Sequence, residues 1–266
     1  MRHLPRTLLL SLMTITGAQT LAQERDIHVQ LVTENTPITR ALVGEASDNG
    51  GTWGGGEATE FVKLLMDHSG LNYSLNFMPW RRAYHNAKVS ENVLIFPLAR
   101  TLSREQDFHW IGQLIPIRYF LFQLADRDDL QLDNLEEAKR YDIGVVNFHA
   151  HHELLIEQGF TKLQPVNSSE QNIKKLLLGR VDFFAMSDGG IFPLCQRTGI
   201  DCSRIKPALE LTGISGGLFI ALNPNSDADL VTKLSISYQA LVDDGRHAKT
   251  FKKRIDSLSK FSQAWE

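Results

Sequence analysis

Between Asp26 and Leu98 the chain switches repeatedly between two hydrophobic periods, and that alternation limits the available folds more than any other feature of the sequence. Ile27, Val29 and Leu31 alternate with polar neighbours across Asp26 to Thr33, the period of a half-buried strand. From about Ala58 to His68, the spacing of Phe61, Leu64, Leu65 and His68 builds one helix face, and Gly70 stops it. Asn72 to Phe77 alternates again, Arg81 to about Val89 is helical, and Val93 to Leu98 is a continuous apolar strand. Strand, helix, strand, helix, strand requires a largely parallel sheet with helical crossovers. The ends of such strands present their loops to a common crevice.

A second unit of similar layout occupies the middle of the chain. It comprises an apolar strand at Tyr119 to Leu124, a short helix at Asn134 to Arg140, and a strand at Asp142 to Val146 that runs into a helix ending at Gln158 before Gly159. A helix from Ser169 to Leu178 is capped by Asn167 or Ser168 and stopped by Gly179. The strand Val181 to Met186 then ends at Ser187-Asp188-Gly189-Gly190. A last strand, Leu218 to Leu222, precedes two helices, Asp227 to Asp243 and Arg246 to Leu258, broken at Gly245. Two α/β lobes of one composition imply a cleft between them. No repeat or low-complexity tract is present.

The ends and composition bear on compartment. Met1 to Arg6 is short and basic, Leu8 to Ile15 is mostly apolar, and Gly17 to Ala22 supplies small residues, which reads as a signal peptide over 1–22 cleaved after Ala22. The apolar run falls short of the ~20 residues of a membrane span. No cysteine stands at the cut, so a periplasmic location is expected rather than a lipid-anchored one. Loss of Arg2 and Arg6 with the leader leaves 26 of the 28 basic residues against 31 acidic ones. A net charge of that sign is no nucleic-acid footprint. The only cysteines, Cys195 and Cys202, lie in one polar stretch. In an oxidising compartment they read as a short-loop disulfide, with two free thiols as the alternative.

The chemistry concentrates between Pro79 and Trp110. Pro79-Trp80-Arg81-Arg82-Ala83 precedes the strand at Val93 to Leu98, and Arg100-Thr101-Leu102-Ser103-Arg104 follows it, ahead of Asp107-Phe108-His109-Trp110. Arginine binds carboxylates bidentately, and tryptophan offers a flat wall to apolar or cationic groups. Trp80, Arg100 and Arg104 therefore form a candidate site for a small anionic or zwitterionic molecule. The alternative puts Trp80 in the core and leaves both arginines solvated. Trp53 is an exposed aromatic in the glycine-rich loop Gly44 to Gly56, placed either as a lid or as an ordinary surface residue.

This order of features resembles the family 3 solute-binding proteins, the bilobal periplasmic receptors of amino-acid uptake systems. The resemblance implies an α/β fold of the type II periplasmic-binding-protein class, with two lobes joined by a two-crossing hinge. Lobe 1 would span 23–117 plus 214–266 and lobe 2 would span 118–213. In that family an arginine in a Thr-Pro-Glu-Arg segment before Asp-Phe clamps the ligand's α-carboxylate; Thr101-Leu102-Ser103-Arg104 before Asp107-Phe108 assigns that role to Arg104. Pro79-Trp80 matches the family's aromatic-containing segment, and Asp188 matches the aspartate that receives the ligand's amino group, with capping of the following helix as its alternative role. Where the family has Gly-Thr-Thr, this chain has Phe148-His149-Ala150, which keeps backbone N–H donors and loses the hydroxyl. Thr36-Pro37-Ile38 lacks the aromatic of the family's Pro-Pro-Phe turn, and Trp53 is a substitute. The Trp-Arg-Arg-Ala sequence together with Arg100 is similar to a divergent subgroup. The crossings would fall near Ile115 to Arg118 and Thr212 to Gly217, so that closure brings Arg104 and Trp80 against Asp188 and His149.

The resemblance also implies a monomer without cofactor or metal that binds a small-molecule ligand and delivers it to an ABC-type membrane permease. A free periplasmic sensor serving a membrane signalling partner is the alternative. A small-molecule enzyme of the dehydratase type on the same fold is a third reading, drawn from His149, His151, His152 and Glu153, which sit on the first turn of a helix without a matching ligand set elsewhere. In that reading His151 and His152 are solvated and only His149 reaches a ligand. No Gly-x-Ser-x-Gly elbow, phosphate loop or HExxH motif occurs.

Overall fold

A computed structural model describes residues 27–36, 38–41, 54–214 and 216–265. The expected leader and Trp53 lie outside them. The chain opens with β1 (His28–Thr33), a short pair β2 (Arg40–Ala41) and β3 (Gly54–Gly55), α1 (Glu57–Ser69), β4 (Asn72–Phe77), α2 (Trp80–Val89) and β5 (Val93–Ala99). A 3-10 turn (Leu102–Asp107), β6 (His109–Ile115) and β7 (Tyr119–Leu124) follow. Next come α3 (Leu135–Ala138), β8 (Ile143–Val146), α4 (Ala150–Glu157), β9 (Leu163–Val166), α5 (Ser169–Leu177), β10 (Phe183–Ser187) and α6 (Asp188–Thr198). The chain ends with β11 (Ile205–Glu210), β12 (Leu218–Leu222), α7 (Ala228–Asp243) and α8 (Arg246–Trp265).

The strands form two five-stranded sheets, ordered β4-β1-β5-β12-β6 and β11-β7-β10-β8-β9. In the first, β1 runs parallel to β4 and β5, while β12 lies antiparallel to β5 and β6. In the second, β8 is parallel to β9 and β10, and β7 is antiparallel to β10 and β11. Both sheets are buried on two faces, because alternate residues of one strand feed different cores. Val29 and Leu31 join Phe61, Leu65, Leu234 and Phe251 under α1, α7 and α8, while Val32 joins Ala83, Ala87 and Phe108 under α2. In the second sheet, Leu121 and Phe183 face Leu154 and Leu155 of α4; Phe122 and Phe184 face Ile173 of α5 and Leu194 of α6.

The chain passes from the first sheet to the second between Ile115 and Tyr119 and returns between Glu210 and Leu218. The two passages touch: the Ile117 N–H donates to the Gly216 carbonyl (3.3 Å) and the Leu211 N–H to the Tyr119 carbonyl (2.7 Å). Cys195 of α6 and Cys202 are joined as a disulfide across seven residues, with Cys195 packed in the α5–α6 core. Closing so short a loop restricts the unfolded chain by about 2 kcal/mol. A Cys195→Ser, Cys202→Ser variant should therefore show a urea midpoint lowered by a corresponding amount with the slope unchanged. A midpoint equal to the wild type's would show that the staple adds nothing.

Candidate functional site

The residues singled out in the sequence converge where α2 and the loop after β5 meet the turn between β8 and α4. Pro79 fixes the backbone ahead of α2, so Trp80 is the first helical residue and its half-buried ring packs on the α2-side core. Its indole Nε1–H points out of that core and donates to the Phe148 carbonyl in the other lobe (2.9 Å). Trp80 is thus core on one side and cleft wall on the other. Tyr84, one turn on, stacks against it with ring centroids 6.1 Å apart.

Arg104 sits in the 3-10 turn after β5 with 1% of its surface exposed, which rules out the solvated alternative. A buried guanidinium has to be neutralised and hydrogen-bonded. Its Nη1 donates to the Ala99 carbonyl (3.2 Å), and Nε and Nη2 donate to Glu153 Oε2 of α4 (3.0 and 2.7 Å). Nη2 also reaches the Phe148 carbonyl (3.4 Å), and the guanidinium lies 4.8 Å over the Tyr84 ring. The carboxylate facing the clamp is therefore the protein's own.

The turn carrying Phe148 is unusual. Phe148 has φ +62°, the left-handed region that a bulky side chain enters at a cost of about 1–3 kcal/mol. That backbone turns the Phe148 carbonyl to Trp80 and Arg104, and the exposed ring lies 4.9 Å from the Arg81 guanidinium. His149 is the N-cap of α4, its carbonyl accepting from the His152 and Glu153 N–H groups. Burial pushes the His149 imidazole down to about 4, with Arg104 and His152 adding to the effect, so the ring is neutral.

His151 corrects the sequence reading: it is 3% exposed rather than solvated. Its Nε2 accepts from the Val146 N–H (3.3 Å), and its ring lies 5.9 Å from that of Tyr119. His152 Nδ1 accepts from the Phe148 N–H (3.3 Å), so both rings brace the turn.

Glu34 was not picked out from the sequence. It follows β1 directly, the position where loops of a parallel sheet meet a crevice, and that was the available signal. Desolvation pushes its carboxyl up to about 7, against a lowering hydrogen bond from the Trp80 backbone N–H, with Glu170 raising it further. Its Oε2 stands 3.8 Å from His149 Nε2.

Two further residues fall elsewhere. Arg100 pairs with Glu105 on its own loop and lies 5.2 and 5.7 Å from the Trp110 and Phe219 rings, so these partners are all in lobe 1. Asp188 opens α6 almost fully buried; its Oδ1 accepts from the N–H groups of Arg118 (3.2 Å) and Gly189 (2.7 Å), tying the first crossing to α6. Burial raises its carboxyl above the usual range despite those donors. Asp188 also lines a 280 Å³ cavity with Glu57, Gln196, Lys253 and Arg254. Tyr119 lies close enough to feel both Arg104 and Asp188, and burial pushes its hydroxyl up to about 12.

No protein-family model matches the sequence, and no curated protein matches it either. Solved structures do match. A histidine kinase sensor domain with similarity to periplasmic binding proteins superposes with a TM-score of 0.71 at 14% identity, over 85% of this chain and 96% of that one. An ancestral arginine-binding protein bound to arginine gives a TM-score of 0.67 at 16% identity, over 85% and 97%. A periplasmic His/Glu/Gln/Arg/opine family-binding protein from Silicibacter pomeroyi, in complex with lysine, gives 0.66 at 18% identity, over 85% and 96%. The fold is that of the two-lobed periplasmic binding proteins. Among the described residues no helix is long and apolar enough to cross a membrane, and no group of His, Cys, Asp and Glu is arranged to hold a metal ion.

Proposed function

We propose that this protein is a periplasmic receptor that closes its two lobes on a small zwitterionic, amino-acid-like solute and releases it unchanged. The observation that carries the reading is the buried Arg104 guanidinium, reached from the opposite lobe by a carboxylate, beside the Trp80–Tyr84 shelf. A solute carboxylate fits Arg104, and its ammonium fits Glu34, whose carboxylate is held at a desolvation cost that a cation would remove. Asp188, engaged with the crossing, serves in this reading as the link between binding and hinge. The likeness to the substrate-binding protein of an amino-acid ABC transporter and to a kinase sensor domain supports two downstream partners, an ABC-type permease and a membrane signalling protein. Delivery to a permease is the reading adopted, and the histidine kinase sensor domain, matched over 96% of its own length, supports a signalling partner as the second reading.

A thermal-shift panel of amino acids, small peptides, dicarboxylates and polyamines tests it. A solute at a hundredfold its dissociation constant adds about 2.7 kcal/mol, a rise of several degrees. The expected hits carry both a carboxylate and an ammonium group. A panel without hits, or a hit whose mass changes on incubation, would overturn the reading.

A further inference from the structure

Arg104 comes from lobe 1 and Glu153 from lobe 2, so their ion pair joins the lobes directly. It does not stand alone: Trp80 donates to Phe148, Arg81 covers the Phe148 ring, and Glu34 faces His149, all across the same cleft. The two partners have unequal needs. Arg104 is 1% exposed and requires an anion, whereas Glu153 is 29% exposed and sits in the first turn of α4, where the helix N-terminus favours a carboxylate anyway.

We propose that Glu153 is a built-in occupant of the Arg104 clamp, which holds the lobes together in the absence of solute and which a solute's carboxylate must displace. The inference rests on reading the cleft as a carboxylate-binding receptor site, and it deepens that reading by naming the residue that sets the threshold for entry. Exchange is feasible because each carboxylate has somewhere to go. The solute's oxygens take over the Nε and Nη2 donors of Arg104, and Glu153 turns into water at the end of its helix. Desolvation already outweighs the pull of Arg104 on Glu153, holding its carboxyl above the ordinary range, so the pair is not a deep trap. A solute without a carboxylate leaves Glu153 in place and gains nothing from the clamp, which makes Glu153 a selectivity device as well as a latch.

Small-angle X-ray scattering of the solute-free protein tests this directly, with Glu153→Ala and Glu153→Gln beside the wild type. Alanine suits a helix and glutamine keeps the shape, so both variants should fold. The wild type is expected to scatter as the closed form and both variants with a larger radius of gyration, because a buried Arg104 without its anion drives the lobes apart. Acetate serves as the carboxylate probe. If the latch keeps about nine molecules in ten closed, the dissociation constant of acetate falls about tenfold in Glu153→Ala. Variants that scatter like the wild type, or acetate binding unchanged by the substitution, would overturn the proposal. Variants that open while no zwitterionic solute binds any of the proteins would leave the latch standing and remove the receptor reading.

Discussion

Arg104→Ala is expected to lower folding stability by about 3 kcal/mol, near the lower end for breaking a buried ion pair because Glu153 is left partly hydrated. The substitution removes the guanidinium's hydrogen bonds to the Ala99 carbonyl, to Glu153 and to the Phe148 carbonyl, and it empties the space over Tyr84. In a chain of this size the loss corresponds to a melting temperature about 6–12 °C lower. Arg104→Met separates the contributions. It refills the volume without the charge, so it should recover the packing share and none of the solute binding. A melting temperature within a degree of the wild type's for Arg104→Ala would mean that the guanidinium is hydrated and the clamp does not exist.

Glu34→Gln is expected to stabilise the protein increasingly as the pH rises above 4.5. The folded carboxyl titrates at about 7 against an ordinary 4.5, so between those values the folded state holds a proton that the unfolded state has lost. Stability contributed by that proton is present below pH 4.5, falls as the pH rises, and is gone above 7. Glutamine mimics the protonated form and still accepts from the Trp80 N–H. The gain should therefore reach up to about 3 kcal/mol at pH 8 and vanish near pH 4.5.

The histidines act in the opposite sense. His149, His151 and His152 are held neutral by burial, so their contribution is present above the ordinary 6.5 and is lost as the pH falls below it, for His149 down to about 4. Glu34→Gln should accordingly make the acid-side loss steeper, visible in melting temperatures taken from pH 4 to 8. A variant no more stable than the wild type at pH 8 would show that Glu34 is solvated. A carboxylate that weakens the folded state at working pH is what a cation site would keep.

Much of the architecture was legible because central strands such as β5 and β7 are continuous apolar runs, while the edge strand β4 alternates polar and apolar residues. Asn72–Phe77, Tyr119–Leu124 and Leu218–Leu222 have the same limits in sequence and structure, and the early βαβαβ run stands as read. The missed strands break the pattern for identifiable reasons. β9 is an edge strand containing Pro165, where no ladder partner needs the missing N–H. β6 carries Gly112, because the Tyr238 ring occupies the space where a side chain would stand. α6 begins Asp188-Gly189-Gly190 and contains Pro193, a poor helical sequence that the packing of Ile191, Leu194 and Cys195 overrides.

The site was legible in part. Trp80, Arg104, Phe148 and His149 meet, whereas Arg100 and Asp188 are drawn to Glu105 and Arg118 by neighbours that spacing alone does not reveal. Glu153 was read with the histidines beside it rather than with Arg104, since nothing local ties α4 to a turn 49 residues earlier. The positive φ of Phe148 belongs to the same class: it follows from tertiary contacts to Trp80 and Arg81, not from the residue itself.

The most direct test of the account is a calorimetric titration of an amino acid that scores in the thermal panel, carried out on the wild type and on Arg104→Lys. Lysine keeps the charge and loses the bidentate fork, which at a desolvated carboxylate is worth about 2 kcal/mol or more. The account predicts one solute per wild-type chain and a dissociation constant raised at least about thirtyfold in Arg104→Lys. Equal affinity in the two proteins would place the solute away from Arg104 and contradict it.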